Sequence, residues 1–281
     1  MGYLVQLKTN KSVTIQKLFD IIQVLCHEVN FVFLPNTEDK DGNKVSGGLM
    51  IKEVNKYKTL LTYLKLEADN FELFKYNSKK SYINIGINLK YLCKFLKSIS
   101  NYDSLSIAID EDEQSKLLIT LENNDDKKEI KLITSDLDYK PFTVSPVSAS
   151  YMLTMSSNNF HKYCKDLSII CKKIDIICNG KKLILDGKGD TGEMNFKVKP
   201  GENNLTIVRD ESEKEDIIVQ GKFDLLYLTT FTKCCSFSNT FTIFLNKVSN
   251  YPLILQYNVD GLGEIKFVLS QSKSDESYDL Y

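Results

Sequence analysis

The chain has 281 residues, 36 of them basic and 37 acidic, giving a formal net charge of −1. That balance excludes a uniformly basic surface that grips nucleic acid from outside, and a hydrophobic content of 42% excludes disorder as the default state. The length allows two domains of ordinary size, each with its own core.

No run of residues is long and apolar enough to span a bilayer. Met1 to Asn10 lacks the basic segment and apolar run of a secretory signal, so a soluble intracellular protein with no membrane partner is expected. The cysteines, 7 in number with no C-x-x-C pair, read as small core hydrophobes in a reducing compartment. Cys164, Cys171 and Cys178 are evenly spaced, but only His27 and His161 could supply imidazole. Neither a metal nor a cofactor is expected.

Four helical segments follow along the chain. From Thr14 to Glu28 the apolar stripe is Ile15, Leu18, Phe19, Ile22 and Cys26, with Lys17 opposing it. From Asn88 to Asn101, Leu89, Leu92, Leu96 and Ile99 point one way and Lys90, Lys94 and Lys97 the other. At about 100° per residue these lysines fall within roughly 40° of Lys90, and the window carries no carboxylate. From Ser157 to Lys173, Phe160, Cys164, Leu167 and Cys171 form the stripe and Lys162, Lys165, Lys172 and Lys173 lie opposite. From Phe223 to Cys235, Tyr227, Leu228 and Phe231 face inward, with Lys222 and Lys233 opposite. One such helix is ordinarily just a solvated lysine face. Four in a near-neutral chain imply that positive charge is sorted by face.

Each helix is followed by period-two alternation, as a strand with one buried face requires. Leu105, Ile107 and Ile109 follow the second helix, and Ile174 and Ile176 the third, where Asn179-Gly180 turns the chain into Leu183 and Leu185. Phe241, Ile243 and Leu245 follow the fourth, then Leu253, Leu255, Tyr257 and Val259, then Ile265, Phe267 and Leu269. The unit of helix plus antiparallel strands is repeated four times. Thr134 to Ser150, with Pro141 and Pro146, has no helical periodicity and reads as an extended connection without mid-sheet pairing. Asn36 to Gly48 and Pro200 to Asp216 read as surface loops, the second interrupted by a short strand at Leu205 to Val208.

These residues resemble the eukaryotic-type sliding clamps, the proliferating cell nuclear antigen family. The likeness is densest in the run from Asn88 to Lys97, in Phe160 to Ser168, and from Tyr227 through Phe231-Thr232-Lys233. Tyr251-Pro252-Leu253 and Gly263-Glu264-Ile265-Lys266-Phe267 extend it. The resemblance implies an α+β fold of two similar domains, each of two helix-plus-antiparallel-sheet repeats, with helices lining a ring. Residues 1–133 would form the N-terminal domain, 134–150 the interdomain connector, 151–271 the C-terminal domain and 272–281 a tail.

It implies further a head-to-tail homotrimer around double-stranded DNA, holding a DNA polymerase and other clamp-binding-motif proteins and loaded by an ATPase. The setting would be a nucleus, or a cytoplasmic replication compartment if the protein is viral. Lys17, Lys94, Lys97, Lys162, Lys165 and Lys233 resemble the family's inward-facing basic residues; Lys90, Lys172 and Lys173 are added from helix geometry. Ile130 and Leu132 match one subunit-joining edge, and Met194, Phe196 and Val198 the other. Phe142 and Val144 on the connector, with Pro252, Val268, Leu269 and Ser270, match the partner-peptide pocket. There Val268 replaces an aromatic and Ser270-Gln271 replaces Ala-Pro.

Lysines suit such a hole because duplex phosphates present about one charge per 1.7 Å of axis, so flexible ammonium groups are attracted at any register. Base readout would need bidentate groups such as arginine, and Arg209 is the single arginine. Two other readings stand beside the clamp. One keeps the fold as an open replication accessory factor or a subunit of a heteromeric checkpoint clamp. The other is an enzyme using Cys164 or the Gly187-Lys188-Gly189-Asp190-Thr191-Gly192 loop. That loop is formally G-x-G-x-x-G, but alternation in Met194 to Val198 makes it a hairpin rather than a helix entry, so no catalytic residue is assigned.

Overall fold

The computed structural model describes residues 2–99, 102, 104–142, 147–210 and 218–272. The chain divides into two compact units. The first comprises Met1–Asn55, Thr62–Thr143 and Asn258–Ile265; the second comprises Lys56–Leu61, Val144–Tyr257 and Lys266–Tyr281. The boundary between the halves thus falls inside the expected connector. In addition, two short segments belong with the other half of the sequence, which a linear reading of composition does not reveal.

In chain order the first half begins with β1 (Tyr3–Thr9), α1 (Ser12–Leu25), β2 (Glu28–Leu34), β3 (Thr37–Glu38) and β4 (Lys44–Val45). It continues with β5 (Gly48–Val54), β6 (Leu60–Glu67), β7 (Leu73–Tyr76) and β8 (Ile83–Asn88). The half closes with α2 (Leu89–Leu96), β9 (Ser104–Asp110), β10 (Lys116–Glu122) and β11 (Lys127–Ile133). Five of these strands form a sheet in the order β11-β10-β9-β1-β7, and another run is ordered β6-β5-β2-β8. α1 packs on β2 through Phe19 and Phe31, whose rings stack at 5.4 Å. The exposed β3–β4 hairpin occupies the expected loop at Asn36 to Gly48.

The second half begins with β12 (Tyr151–Ser156), α3 (Ser157–Ile170), β13 (Lys173–Cys178), β14 (Leu183–Gly189) and β15 (Gly192–Val198). After β16 (Thr206–Arg209) and β17 (Val219–Asp224) come α4 (Leu225–Phe231), β18 (Thr240–Leu245), β19 (Leu253–Asn258) and β20 (Gly263–Leu269). One sheet is ordered β15-β14-β13-β17, and another run β16-β12-β18-β19. The expected repeat gains one element: a strand, β1, β8, β12 or β17, leads directly into each helix.

The strand-to-helix junctions explain where three helices start. Asn88 and Ser156 turn their side chains back onto the amides of Lys90 and Asn159, and Asp224 accepts from the amide of Leu226 at 2.8 Å. Each side chain satisfies a donor that the first helical turn leaves orphaned. α1 has no such side-chain cap.

Residues 134–142 of the connector are held on the first unit, whereas Ser148 and Ser150 bond to Tyr251, Asn246 and Leu245 of the second. Gly86 and Ser135 exchange two backbone hydrogen bonds of 3.2 and 2.8 Å, an isolated bridge that differs from the expectation of no pairing. A Cβ on Gly86 would lie 2.4 Å from the Ser135 carbonyl oxygen, so the close approach needs glycine. Beyond it, Tyr139 meets Tyr82 edge-on at 5.6 Å, and the Lys52 ammonium donates to the Phe142 carbonyl at 3.3 Å.

The core of the second unit is a train of rings. Phe160 lies 4.9 Å from Phe241, Phe241 stacks on Tyr257 at 4.8 Å, and Phe231 stacks on Phe267 at 4.2 Å. Such pairs add to area burial when offset. The Tyr257 hydroxyl is buried with no hydrogen-bond partner among the described residues. Removing a buried unsatisfied hydroxyl relieves its desolvation cost, so Tyr257→Phe is expected to raise unfolding stability by about 1 kcal/mol. Urea titration checks this, and a lowered midpoint would mean that the hydroxyl is satisfied.

Candidate nucleic-acid interface

α2 shows the charge sorting most fully. Leu89, Leu92 and Leu96 are completely buried, while Lys90, Lys94 and Lys97 are exposed. Lys94 sits in the last turn and Lys97 is the C-cap, where cations meet the negative end of the helix dipole. On the neighbouring α1, Ile15, Leu18, Phe19 and Ile22 are buried and Lys17 is exposed. An acid that the sequence reading passed over, Asp20, is exposed on α1 and interacts with Lys97. Partial burial raises its carboxyl above the usual range, against the pull of the Cys93 thiol and Lys97. It offsets part of the charge at that end of the face.

In the second unit, Phe160, Cys164 and Leu167 of α3 are completely buried and Lys162 and Lys165 are exposed. Lys172 and Lys173 depart from the expectation. α3 ends at Ile170, and Cys171 is extended at φ −142°, ψ 163°. The Lys172 carbonyl accepts from the Leu225 amide at 2.9 Å, and Lys173 pairs with Asp224 across β13 and β17. Strand pairing captures Lys173 and the bond from Leu225 holds Lys172, so both leave the helix face. Both fit a solvent-facing helical position as readily, which is why periodicity could not separate the two outcomes.

The fourth helix also starts later than expected. Phe223 and Lys222 belong to β17, and the Lys222 ammonium lies 3.8 Å from Asp175. Lys233 is exposed on a 3-10 turn, Thr232–Ser236, that continues α4. The exposed face of α4 itself carries Leu226, 72% accessible, so this element adds little charge.

Each unit also presents an edge strand. β11 pairs with β10 and β15 with β14, each standing at the end of its sheet. Ile130 and Leu132 are half-buried, while Lys127, Glu129, Lys131 and Ile133 are exposed. The charged ones pair locally, Lys127 with Glu129 at 2.8 Å and Lys131 with Glu113 at 2.6 Å. Charged side chains on an edge discourage indiscriminate strand addition. On β15, Met194 and Phe196 are half-buried, but Val198 is only 2% exposed. Val198 therefore fills the core of the second unit and is not an interface side chain.

The expected partner-peptide residues divide likewise. Phe142, in the first unit, is 40% exposed, with the Lys52 ammonium 5.9 Å from its ring centroid. Val144 lies outside the described residues. In the second unit Pro252 and Val268 are half-buried and Ser270 is exposed. Leu269, 2% exposed, is a core residue instead, because alternation along β20 points it inward.

The glycine motif is a hairpin of β14 and β15, as the alternation implies. Gly187 and Gly189 serve packing against the end of α3. A Cβ on Gly187 would meet the Cys171 sulfur at 2.6 Å, and one on Gly189 would overlap the Ile170 carbonyl oxygen. Burial pushes the Cys164 thiol far up, which keeps it protonated. His161 Nδ1 is occupied by the Thr232 hydroxyl at 2.9 Å. Among the described residues no group of three or more His, Cys, Asp or Glu could hold a metal ion, and no helix is long and apolar enough to cross a membrane.

Two units of strand-led helices and antiparallel sheets, with lysines on the helix faces turned away from the core, define a DNA clamp fold. The pattern of the proliferating cell nuclear antigen N-terminal domain matches residues 4–141, and that of its C-terminal domain matches residues 146–272. The chain belongs to the proliferating cell nuclear antigen family. It is 26% identical over 279 residues to the probable DNA polymerase sliding clamp 1 of Paramecium bursaria Chlorella virus 1, covering 95% of this chain and 96% of the viral protein. It is 30% identical over 234 residues to the probable DNA polymerase sliding clamp of Acanthamoeba polyphaga mimivirus, covering 82% of this chain and 48% of that protein. The crystal structure of proliferating cellular nuclear antigen from Entamoeba histolytica shares the fold, with a TM-score of 0.79 and 20% identity over 96% of this chain and 100% of the other.

A lysine that neutralises a phosphate releases a counterion, so each one lost lowers the slope of log affinity against log salt by about 0.9. Lys94→Ala and Lys162→Ala are expected to show that reduction on a short duplex, and Lys172→Ala is expected to leave the slope unchanged. Fluorescence anisotropy at several salt concentrations reads it. Identical slopes in all three variants would remove the assignment of the helix faces.

Proposed function

We propose that the chain works as a closed head-to-tail homotrimer that encircles duplex DNA and slides along it while tethering a DNA polymerase. Processivity in DNA replication is the role that membership of the sliding clamps brings, and the protein acts as a non-catalytic scaffold at sites of replication. The observation that carries the ring is that β11 in the first unit and β15 in the second each end a sheet, paired on one side only among the described residues, and each keeps half-buried apolar side chains, Ile130 and Leu132 on β11 and Met194 and Phe196 on β15. Joining β11 of one subunit to β15 of the next would satisfy both edges and close the ring, with Ile130, Leu132, Met194 and Phe196 at the seam.

Lys17, Lys90, Lys94 and Lys97 from the first unit, with Lys162, Lys165 and Lys233 from the second, are the proposed phosphate contacts. Their attraction is blind to sequence and register, so it centres the duplex without stopping it. Retention then comes from topology, and a loader ATPase is needed to open the ring. Phe142 in the first unit, and Pro252, Val268 and Ser270 in the second, are proposed contacts for the clamp-binding motifs of the polymerase and other partners. A nucleus or a cytoplasmic viral replication compartment are both settings in which this chemistry works.

Sedimentation with and without loading on plasmid DNA tests the reading. Trimers are expected in solution, and the protein should stay on a nicked circle at moderate salt and leave once the circle is cut. A monomer, or equal retention on circular and linear DNA, would overturn the closed ring.

A further inference from the structure

Behind each edge strand lies the helix that carries the lysines, and in each unit the two are joined by a specific side-chain contact. In the first unit Lys128 of β11 places its ammonium 4.6 Å from the centroid of the Phe95 ring on α2. The same ammonium donates to Ser98 Oγ at 2.8 Å, just beyond Lys97. In the second unit Phe196 of β15 stacks on Tyr163 of α3, centroid to centroid 4.3 Å and 28° between planes. The Tyr163 hydroxyl accepts from Asn203 Nδ2 at 2.6 Å, and Asn203 Oδ1 accepts from Asn159, also on α3, at 3.0 Å. The loop that follows β15 is therefore tied to the same helix.

We propose that these two contacts are clasps: Lys128 with Phe95, and Phe196 with Tyr163, are positioning residues that lock each ring-closing edge to its DNA-facing helix. The inference rests on the ring reading above. Strand alternation turns Lys128, Ile130 and Leu132 to the half-buried face of β11, and Met194 and Phe196 to that of β15, while the odd-numbered neighbours stay exposed. An edge strand hydrogen-bonded on one side only opens more easily than a central one. A partner strand that straightens the edge would fix the ring of Phe196 or the ammonium of Lys128, and through it the turn of helix that presents Lys162 and Lys165 or Lys94 and Lys97. By linkage the effect runs both ways, so a duplex that orders the helices would strengthen the seam by the same factor.

Neither clasp is apolar filling that any residue could replace. The ammonium–ring contact needs the cation, and stacked rings gain stability beyond their buried area. Phe196 also takes a second part: one face of its ring is committed to Tyr163, and the part of the ring left exposed is what remains for the neighbouring subunit.

Hydrogen–deuterium exchange of the full chain, above and below its assembly concentration, tests the proposal. In the wild type, assembly is expected to slow exchange in β11, β15, α2 and α3 alike, by about tenfold in the helices. In Tyr163→Leu the slowing should persist in β15 and disappear from α3, and Tyr163→Phe, which keeps the stack, should restore it. Lys128→Met retains the apolar stem on an edge strand, is not expected to affect folding, and should uncouple α2 in the same way. If both variants assemble and their helices are protected as in the wild type, the clasps are overturned while the ring stands. A wild-type chain that stays monomeric at every concentration overturns the ring, and this inference with it.

Discussion

The structure depends on one constraint: each short helix must bury an apolar stripe against a sheet, and whatever else the helix carries is forced to the opposite side. In α2 that leaves Leu89, Leu92 and Leu96 with no exposure and three lysines with nowhere to go but water. Burying a leucine side chain is worth about 1.5–3 kcal/mol, and burying an unpaired ammonium costs more than that. The sign of the surface charge over the helices is thus fixed by the same packing that holds the units together. No excess of basic residues in the whole chain is needed, and at −1 there is none.

That economy suits an object that must hold DNA without gripping it. Phosphates attract flexible ammonium groups over a Debye length of about 8 Å at physiological salt, and they do so at any register. Asp20 beside Lys97 lowers the local field further. With a single arginine, the commonest bidentate contact to guanine has little to draw on. Weak, sequence-blind attraction permits sliding but cannot give retention. In the proposed ring, retention comes from closure, which throws the functional weight onto β11 and β15 and onto whatever keeps them in register with the helices.

Much of this is written locally in the sequence. Three-and-four spacing of leucines against lysines marks α2, because periodicity acts over a few residues. The hairpin at Gly187 to Gly192 is legible for the same reason. What was not legible depends on partners distant in sequence. Lys172 and Lys173 leave the helix because Leu225 and β17, distant in sequence, bond to their backbone, a pairing that no local pattern encodes. Phe223 and Lys222 are strand residues for the same reason. Val198 and Leu269 alternate correctly, but whether an alternating residue faces a neighbouring subunit, a peptide or its own core is decided by tertiary packing. The membership of Lys56–Leu61 and Asn258–Ile265 in the unit that does not hold their flanking sequence is likewise a product of non-local contacts.

The claim at the centre is that one set of ammonium groups, those opposite the buried stripes, faces the duplex. Lysine acetylation footprinting by mass spectrometry, on protein loaded onto nicked circular DNA, measures it directly. Protection is expected at Lys94, Lys97, Lys162 and Lys165, with Lys58, Lys79 and Lys181, which are exposed in bends outside the four helices, modified as fast as in free protein. Protection of the second group with unchanged modification of the first would contradict the account.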